Sequence, residues 1–249
     1  MSDSNWETPQ GDFPHLEAGQ VHIWRLSLRT QDGDYEPFTA TLDDQEKERG
    51  ARFIFAKHRE RFIVGRARVR ELLSSYADCD PDEFEYTYDN LGKPRFKDET
   101  LDQRIKFNFS NSADLGLLAV TLETELGVDL EKIRPMHDMM GMAKRYFAES
   151  ETEQLFALDE PDRPDAFFRC WTRKEAYLKA VGKGLTFPLR DVEVSLLPQD
   201  DCCIHNINSD ADNANRWSLI HVAPHDNYHG ALAIPDPALS TVRLLHHSA

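Results

Sequence analysis

One segment in the second half of the chain combines a strong helical pattern with a pair of opposite charges. The segment 167–185, FFRCWTRKEAYLKAVGKGL, has apolar residues at intervals of three and four, which predicts a helix buried along one stripe. Gly182 and Gly184 predict its end. Glu175 and Lys179 are one turn apart, so an acid and a base project from the same face. Taken alone, this pair is equally typical of an exposed ion pair that stabilises a helix by a few tenths of a kcal/mol.

A short acidic strand upstream gives that pair a second interpretation. In the segment 127–131, GVDLE, apolar and acidic residues alternate, so Asp129 and Glu131 are predicted on one face of a strand. Like charges side by side destabilise a strand unless a cation neutralises them. Glu175 is a candidate third ligand, and an all-carboxylate site suits Mg²⁺, which is commonly bound together with substrate phosphates. The pattern therefore predicts a magnesium site and a phosphate-containing substrate.

The two segments, GVDLE (127–131) and WTRKEAYLKAVGKGL (171–185), resemble the signature motifs of the Sfp-type 4′-phosphopantetheinyl transferases. Three weaker elements agree in order and spacing: EKERGARFIFAKHRERFIVGRARVREL (46–72), NLGKP (90–94) and FNFSNS (107–112). The resemblance covers most of the chain from about Glu46 to Val192. It implies Mg²⁺-dependent transfer of the phosphopantetheine arm from coenzyme A to a serine of an apo acyl or peptidyl carrier protein, with release of adenosine 3′,5′-bisphosphate. It also implies an α/β (α+β) fold of two similar, pseudo-twofold-related α/β lobes with the ligand cleft between them.

The resemblance also assigns roles to individual residues. Asp129, Glu131 and Glu175 correspond to the magnesium carboxylates, and Lys179 to the lysine that contacts the phosphates and stabilises the leaving group. Glu151 aligns with a glutamate proposed as general base, although a carboxylate in the first turn of a helix is also favoured by the helix dipole. For coenzyme A the corresponding residues are Arg49, Gly92, Lys93, Pro94, Ser110 and Asn111. Arg61 is a further candidate that could instead brace the fold through a carboxylate.

The sequence departs from the family at one of these positions. Asn111 stands where the family usually has His, and an amide donates a hydrogen bond but never carries charge. Two alternatives therefore stay open beside the transferase. One is a non-catalytic module that binds coenzyme A or a carrier protein, and the other is a different magnesium phosphotransferase or hydrolase.

Composition and charge restrict the class of partner. The chain has 249 residues, is 40% hydrophobic and has no apolar run near the ~20 residues of a membrane span. The first 15 residues lack the features of a signal peptide, so we expect a soluble, cytoplasmic protein that does not associate with membranes. We also expect a monomer. The formal charge of −15 disfavours nucleic acid as a partner. Residues 45–70 nevertheless carry nine Lys or Arg against three Glu, typical of a solvated helix face or of a surface for phosphates or an acidic carrier.

Cysteines and histidines give no metal signature. Cys79, Cys170, Cys202 and Cys203 form no CxxC pair, and reduced thiols are the default in a cytosol. His221, His225 and His229 are spaced by four, but their surroundings predict strands and not a helix with a zinc site.

The coarse organisation predicted from these patterns is a flexible tail (1–16), an N-terminal lobe (17–125) and a C-terminal lobe with the metal and catalytic motifs (126–249). Basic helices are predicted over 45–77, and further helices near 136–146 and 151–158. The predicted strands are 21–28, 84–88, 107–109, 115–122, 192–196, 216–222, 230–234 and 242–245. The Asp- and Asn-rich segment 199–215 predicts an exposed loop.

Overall fold

The computed structural model of the chain describes residues 6–89, 92–182, 187–236 and 239–247. The chain forms two compact units. The N-terminal unit holds residues 7–123 and the last strand from residue 242, and the C-terminal unit holds residues 124–241 together with the segment that ends at Trp6. Each unit combines helices with antiparallel strands, which confirms the mixed α/β class. The pseudo-twofold relation and the ligand cleft stay predictions.

The N-terminal unit is built on a four-stranded sheet in the order β11-β1-β5-β4. The strands β1 and β5 pair antiparallel, as do β4 and β5. Helix α2 covers this sheet, because Val69, Leu72 and Leu73 join the core formed by Trp24 and Leu26. The elements are β1 (Gln20–Ser27), α1 (Asp44–Ala51), α2 (Ala56–Ala77), β2 (Tyr86–Tyr88), β3 (Pro94–Phe96), α3 (Glu99–Arg104), β4 (Ile105–Ser112), β5 (Leu115–Leu122) and β11 (Thr241–His246), with a 3-10 turn at Glu36–Thr41.

The C-terminal unit contains a three-stranded sheet in the order β6-β10-β9 and the pair β7-β8. Its longest helix, α6, packs its apolar residues into one core with residues of β7, β8, β9 and β10. The elements are β6 (Gly127–Lys132), α4 (Met139–Tyr146), α5 (Glu149–Ala157), α6 (Arg163–Val181), β7 (Val192–Val194), β8 (Ile204–Ile207), α7 (Ala211–Ala214), β9 (Ser218–Val222) and β10 (Tyr228–Ile234). Short 3-10 turns lie at Glu160–Asp162 and Leu189–Asp191.

Most predicted elements appear near their predicted positions, and one prediction is wrong. Segment 199–215 is not only a loop, because it contains β8 and α7. Ile204 and Ile207 are buried in the core of the unit, and β8 pairs with β7. The segment has only two large aliphatic residues, Ile204 and Ile207, which are too few to give a periodic signal, so only the packing revealed this strand.

The division of the chain differs from the predicted lobes at both ends. The last strand, β11, lies beside β1 and satisfies an edge of that sheet, so the C-terminal strand belongs with the N-terminal unit. Near the other terminus, the Trp6 indole N–H donates to the carbonyl of Ala223 (3.2 Å), and Leu16 is buried. Residues 1–5 of the predicted tail lie outside the described residues.

Among the helices that are described, none is long and apolar enough to cross a membrane.

Candidate active site

Strand β6 carries the predicted acid pair. Val128 and Leu130 are fully buried, Asp129 is buried, and Glu131 is half-buried next to the exposed Lys132. The strand pairs antiparallel with β10, which places Asp129 opposite Ala231 and Glu131 opposite His229. The alternation predicted from GVDLE is therefore present, with both acids on a single strand that is anchored by its apolar face.

Gly127 at the start of β6 sets how closely this strand approaches helix α6. A Cβ atom built on Gly127 would lie 2.1 Å from the carbonyl oxygen of Ala176 and 2.4 Å from the nitrogen of Ala180. Real Cβ atoms essentially never come this close, so only glycine is compatible with the observed packing. The strand therefore lies directly against the helix turn that carries Glu175 and Lys179.

Helix α6 presents a narrow accessible stripe. Trp171, Glu175 and Lys179, spaced by four, are half-buried, whereas most of the other side chains from residue 166 to 180 are buried. The helix ends at Gly182, which has a φ of 64° in the left-handed region. Gly184, the second predicted stop, lies outside the described residues.

The close approach brings the predicted charges together. The Lys179 ammonium donates to Asp129 Oδ1 at 2.6 Å, across 50 positions of sequence. Burial raises the pKa of Glu175 to about 7, the charges of Asp129 and Glu131 add to this rise, and Lys179 opposes it. The four residues therefore form one electrostatic cluster, which we call the acid–lysine cluster (Asp129, Glu131, Glu175 and Lys179).

The donor chemistry of the acid–lysine cluster fits a hard divalent cation, because its acids offer only carboxylate oxygens. The pKa of Glu175 is raised mainly by burial and further by the charges of Asp129 and Glu131, and a bound cation would stabilise its charged form. In the described part of the chain, however, no three His, Cys, Asp or Glu side chains are already arranged around one metal position. Instead Asp129 contacts Lys179, and Glu131 forms an ion pair with Arg134 at 2.8 Å.

Glu151 is in a different environment from the cluster. It is 1% exposed, and its carboxylate accepts hydrogen bonds from the backbone N–H groups of Ala148 and Val194, both at 2.7 Å. It also forms an ion pair at 2.6 Å with Lys174, which is itself completely buried. Burial raises the pKa of Glu151, and Lys174 and the two backbone donors lower it. This environment favours a structural role over the general-base role that the resemblance implies.

A pocket of about 820 Å³ lies within the N-terminal unit. Its lining, from α1, α2, the loop between them and the β2–β3 hairpin, contains three arginines and three aromatic residues: Arg49, Arg52, Arg66, Phe53, Phe62 and Tyr88. Glu46 and Glu48 also line it, and Glu48 pairs with Arg52 at 2.7 Å. Gly92 lies on its rim with a φ of 83°. The guanidinium groups of Arg49 and Arg66 both lie over the ring of Phe62, at 5.5 and 5.6 Å from its centroid. One aromatic ring thus holds two arginines in the same pocket.

Not every predicted coenzyme A residue lines this pocket. Arg61 donates from Nε and Nη2 to Asp114 Oδ1, at 2.9 and 2.7 Å, so it braces the fold as the alternative interpretation proposed. The Lys93 backbone N–H donates to Asp89 Oδ1 at 2.9 Å, and Pro94 begins β3. Asn90 and Leu91 of the same motif lie outside the described residues.

Ser110 and Asn111 lie near the end of β4, where the strand pairs with β5. Ser110 is buried and Asn111 is exposed, because successive side chains in a strand point to opposite faces. The two residues therefore cannot both face one ligand through their side chains while the strand is regular. Of the predicted pair, only Asn111 has a side chain that solvent reaches.

Sequence reasoning missed Arg52, Phe62, Arg66 and Tyr88 as pocket residues. The excess of basic residues in 45–70 was the available signal, since it contained both arginines. The spacing of four between Phe62 and Arg66 is a second signal, because residues one turn apart share a helix face. Tyr88 carried no signal in the sequence, because a separate hairpin delivers it.

Comparison with known proteins identifies the family. Residues 125–233 match the 4′-phosphopantetheinyl transferase superfamily, and residues 28–123 match the family described as 4′-phosphopantetheinyl transferase, N-terminal. The 4′-phosphopantetheinyl transferase HetI of Nostoc sp. is 36% identical over 88% of this chain and 89% of its own length. A putative 4′-phosphopantetheinyl transferase of Synechocystis sp. is 34% identical over 79% of this chain and 80% of its own length.

The 4′-phosphopantetheinyl transferase Sfp of Bacillus subtilis is 29% identical over 65% of this chain and 69% of its own length. The predicted resemblance is thereby confirmed, and it extends on both sides of the two signature motifs. This chain belongs to the 4′-phosphopantetheinyl transferase superfamily.

Proposed function

We propose that this protein transfers the 4′-phosphopantetheine arm of coenzyme A to a serine of an apo carrier protein and releases adenosine 3′,5′-bisphosphate. The observation that carries the proposal is the acid–lysine cluster, which combines on β6 and α6 the four residues that match the family motifs. In the reaction the serine oxygen attacks the phosphorus that bears pantetheine. The bond from that phosphorus to the bridging oxygen of the pyrophosphate breaks, and the serine proton passes to a base or to water.

The pocket of the N-terminal unit supports coenzyme A as the substrate. Three arginines suit the phosphate groups, because a guanidinium forms charge-assisted hydrogen bonds with phosphate oxygens. Phe53, Phe62 and Tyr88 provide aromatic faces against which adenine can stack. A ligand that is both heteroaromatic and phosphorylated fits this lining, and the 3′-phosphoadenosine end of coenzyme A has that chemistry. Arg49 and Gly92 are the predicted coenzyme A residues that this pocket includes.

The acid–lysine cluster supports magnesium dependence. Asp129, Glu131 and Glu175 would hold Mg²⁺, which supplies charge neutralisation on the pyrophosphate when bound. Lys179 is within hydrogen-bonding distance of Asp129, so a small movement of its flexible side chain would let it contact a phosphate oxygen. Its ammonium would then stabilise the negative charge on the leaving adenosine bisphosphate.

Glu151 enters the proposal as a positioning residue. Its contacts tie the start of α5 to Val194 in β7 and to Lys174 in α6. Lys174 is one position before Glu175, so the buried pair fixes the rotation of α6 about its axis. Another base or water would then accept the proton of the carrier serine.

Mass spectrometry of an apo carrier protein tests the proposal directly. We expect the carrier, incubated with the protein, coenzyme A and Mg²⁺, to gain one phosphopantetheine group, with equimolar adenosine 3′,5′-bisphosphate. Chelation of Mg²⁺ and the Asp129→Asn variant should each abolish the gain. Coenzyme A binding without any transfer to several acyl and peptidyl carriers would favour the non-catalytic module, for which Asn111 in place of the usual His is the supporting observation.

We also propose that the protein acts as a monomer in the cytoplasm. All four cysteines are free thiols, which agrees with a reducing compartment. Sedimentation at several concentrations tests the oligomeric state, and fractionation of cells that express the protein tests the compartment.

A further inference from the structure

The loop between α1 and α2 exposes two large apolar side chains. Ile54 is 89% exposed and Phe55 is 68% exposed. Among the described residues, the other large hydrophobic side chains in the exposed class, Phe13 and Tyr88, are less than 40% exposed. Exposure of a neighbouring Ile and Phe leaves apolar area in water, and such patches often mark interaction sites.

The loop is held in this conformation by its surroundings. The ring of Phe53 packs against Phe62 with centroids 5.4 Å apart, so the first loop residue is tucked inward. Arg59 Nη2 donates to the carbonyl of Phe53 at 2.9 Å, and the Phe53 N–H donates to the carbonyl of Gly50 at 3.3 Å. With Phe53 anchored from both sides, Ile54 and Phe55 are directed outward and do not collapse onto the unit.

Phe55 also occupies a position where its residue type lowers local stability. It is the N-cap of α2, with φ −89° and ψ 126°, and no side chain caps the helix there. Ser, Thr, Asp or Asn at an N-cap accepts a backbone N–H bond through its side chain, which Phe cannot do, and only the Phe55 carbonyl accepts from the N–H groups of His58 and Arg59. The Phe55 ring makes an edge contact with the ring of His58 at 5.9 Å between centroids, but most of its surface stays exposed, so we look for its role in binding.

The basic side chains around the loop favour a partner with an acidic surface. Lys57 and His58 are exposed beside Ile54 and Phe55, and so is Arg52, which pairs with Glu48 at 2.7 Å, in a chain whose formal charge is −15. A basic rim around an apolar centre is complementary to an acidic surface that presents apolar side chains. The loop also borders the pocket proposed for coenzyme A, because Arg52 and Phe53 line that pocket. A macromolecule that docks on the loop would therefore lie beside coenzyme A bound in that pocket.

We propose that the loop of residues 53–55, with Arg52 and Lys57 at its rim, docks the carrier protein through an acidic surface with an apolar centre. The proposal rests on the proposed function, which supplies the carrier as the second substrate. Ile54 and Phe55 would contact the apolar residues of the carrier, and Lys57 would contact its acidic side chains.

The test measures binding and turnover with a purified apo acyl carrier protein. We expect the double variant Ile54→Ser, Phe55→Ser to bind the carrier about tenfold or more weakly by calorimetry. The apparent KM for the carrier should rise by the same factor, while the dissociation constant of coenzyme A stays unchanged. Phe55→Ser supplies an N-cap, so it should raise the midpoint of thermal unfolding by about 2–4 °C. If the serine variant binds the carrier more weakly although it unfolds at a higher temperature, misfolding cannot explain the loss of binding.

Matched variants test the chemistry of the loop. Ile54→Leu with Phe55→Leu keeps the apolar surface and should retain carrier binding. Lys57→Glu should weaken carrier binding and reduce its salt dependence. Lys97→Glu makes the same charge change at a side chain that is 65% exposed in the same unit, and it should have little effect.

Several results would overturn the docking proposal. One is an unchanged carrier affinity in the double serine variant, and another is an equal effect of Lys57→Glu and Lys97→Glu. A third is a wild-type dimer that the serine variant converts to monomer with carrier affinity retained, since the loop would then join two copies. If wild-type protein binds the carrier through this loop but transfers nothing, the docking proposal stands and the proposed reaction fails.

Discussion

Replacement of Gly127 by Ala is expected to separate the two elements that carry the acid–lysine cluster. The new Cβ would start 2.1 Å from the Ala176 carbonyl oxygen and 2.4 Å from the Ala180 nitrogen, and both contacts are to backbone atoms of α6. A flexible side chain could move aside, but a helix backbone buried in a core cannot do so locally. Strand β6 must therefore retreat from α6.

The size of the retreat follows from the contact distances. An ordinary Cβ contact begins at 3.4 Å, so β6 must shift by roughly 1 Å near residue 127. Asp129 is two residues further along the strand, and its hydrogen bond to Lys179 is 2.6 Å long. A shift of this size lengthens that contact beyond hydrogen-bonding distance, and a misplacement of about 1 Å can cost roughly 100-fold in rate. Overpacking should also cost about 1–3 kcal/mol of folding free energy.

The assay compares Gly127→Ala with Gly50→Ala. A Cβ on Gly50 in α1 meets only side-chain atoms, at 3.4 Å or more, so this control should fold and act like wild type. We expect Gly127→Ala to have a turnover number about 100-fold lower, measured by carrier mass, and a lower thermal midpoint. Wild-type turnover and an unchanged midpoint in Gly127→Ala would show that β6 does not need this close approach.

Four further predictions address single side chains. Glu175→Gln should abolish transfer and also the rise in thermal midpoint that Mg²⁺ gives the wild type. It should not lower the midpoint of the metal-free protein, because it removes a half-buried carboxylate that Asp129 and Glu131 repel. Glu151→Gln should lower stability by about 3–5 kcal/mol, because Lys174 is left as a buried unpaired charge, with turnover within threefold of wild type below the unfolding transition. Phe62→Leu should weaken coenzyme A binding about 5- to 30-fold in calorimetry, because two arginines lose contacts of about 0.5–1 kcal/mol each. Burial lowers the pKa of His22 from 6.5 to about 4, so the unfolded chain binds more protons there, and the free energy of unfolding should fall by on the order of 3 kcal/mol between pH 6.5 and 4.

Three of these four predictions have a contrasting outcome that a single variant or assay would reveal. A large drop in the turnover of Glu151→Gln with stability retained would support the general-base role instead. Phe62→Tyr keeps the ring and should bind coenzyme A like wild type, and equal loss in the Tyr and Leu variants would show that the ring face is irrelevant. His22→Gln should flatten the pH dependence of unfolding measured with urea, and an unchanged slope would assign it to other groups.

The local elements of the candidate site were predictable, because their signals are short-range. The alternation in GVDLE gave the strand of Asp129 and Glu131, and the helical spacing in 167–185 gave the helix of Glu175 and Lys179. The basic excess of residues 45–70 indicated a surface for anions, and that segment supplies most residues of the pocket. Neither pattern specified the distance between the two elements.

Burial decided the roles that the sequence left open. Glu151 reads as an accessible acid in the first turn of a helix, but the fold encloses it with Lys174. Arg61 was a candidate phosphate ligand, and the fold pairs it with Asp114, 53 positions away. Such pairings depend on which surfaces meet, and one sequence carries no period or spacing that encodes them.

The sequence by itself determined the strand and the helix that carry the acid–lysine cluster and the residue types on them, because periodicity, capping and charge are properties of neighbouring residues. Only the tertiary structure decided that β6 lies against α6 closely enough for Lys179 to reach Asp129, and that Tyr88 and Gly92 of a hairpin border the same pocket as Arg49. The physical reason is that packing of distant segments is set by shape and volume. A single missing Cβ at Gly127 permits an approach that no local pattern predicts.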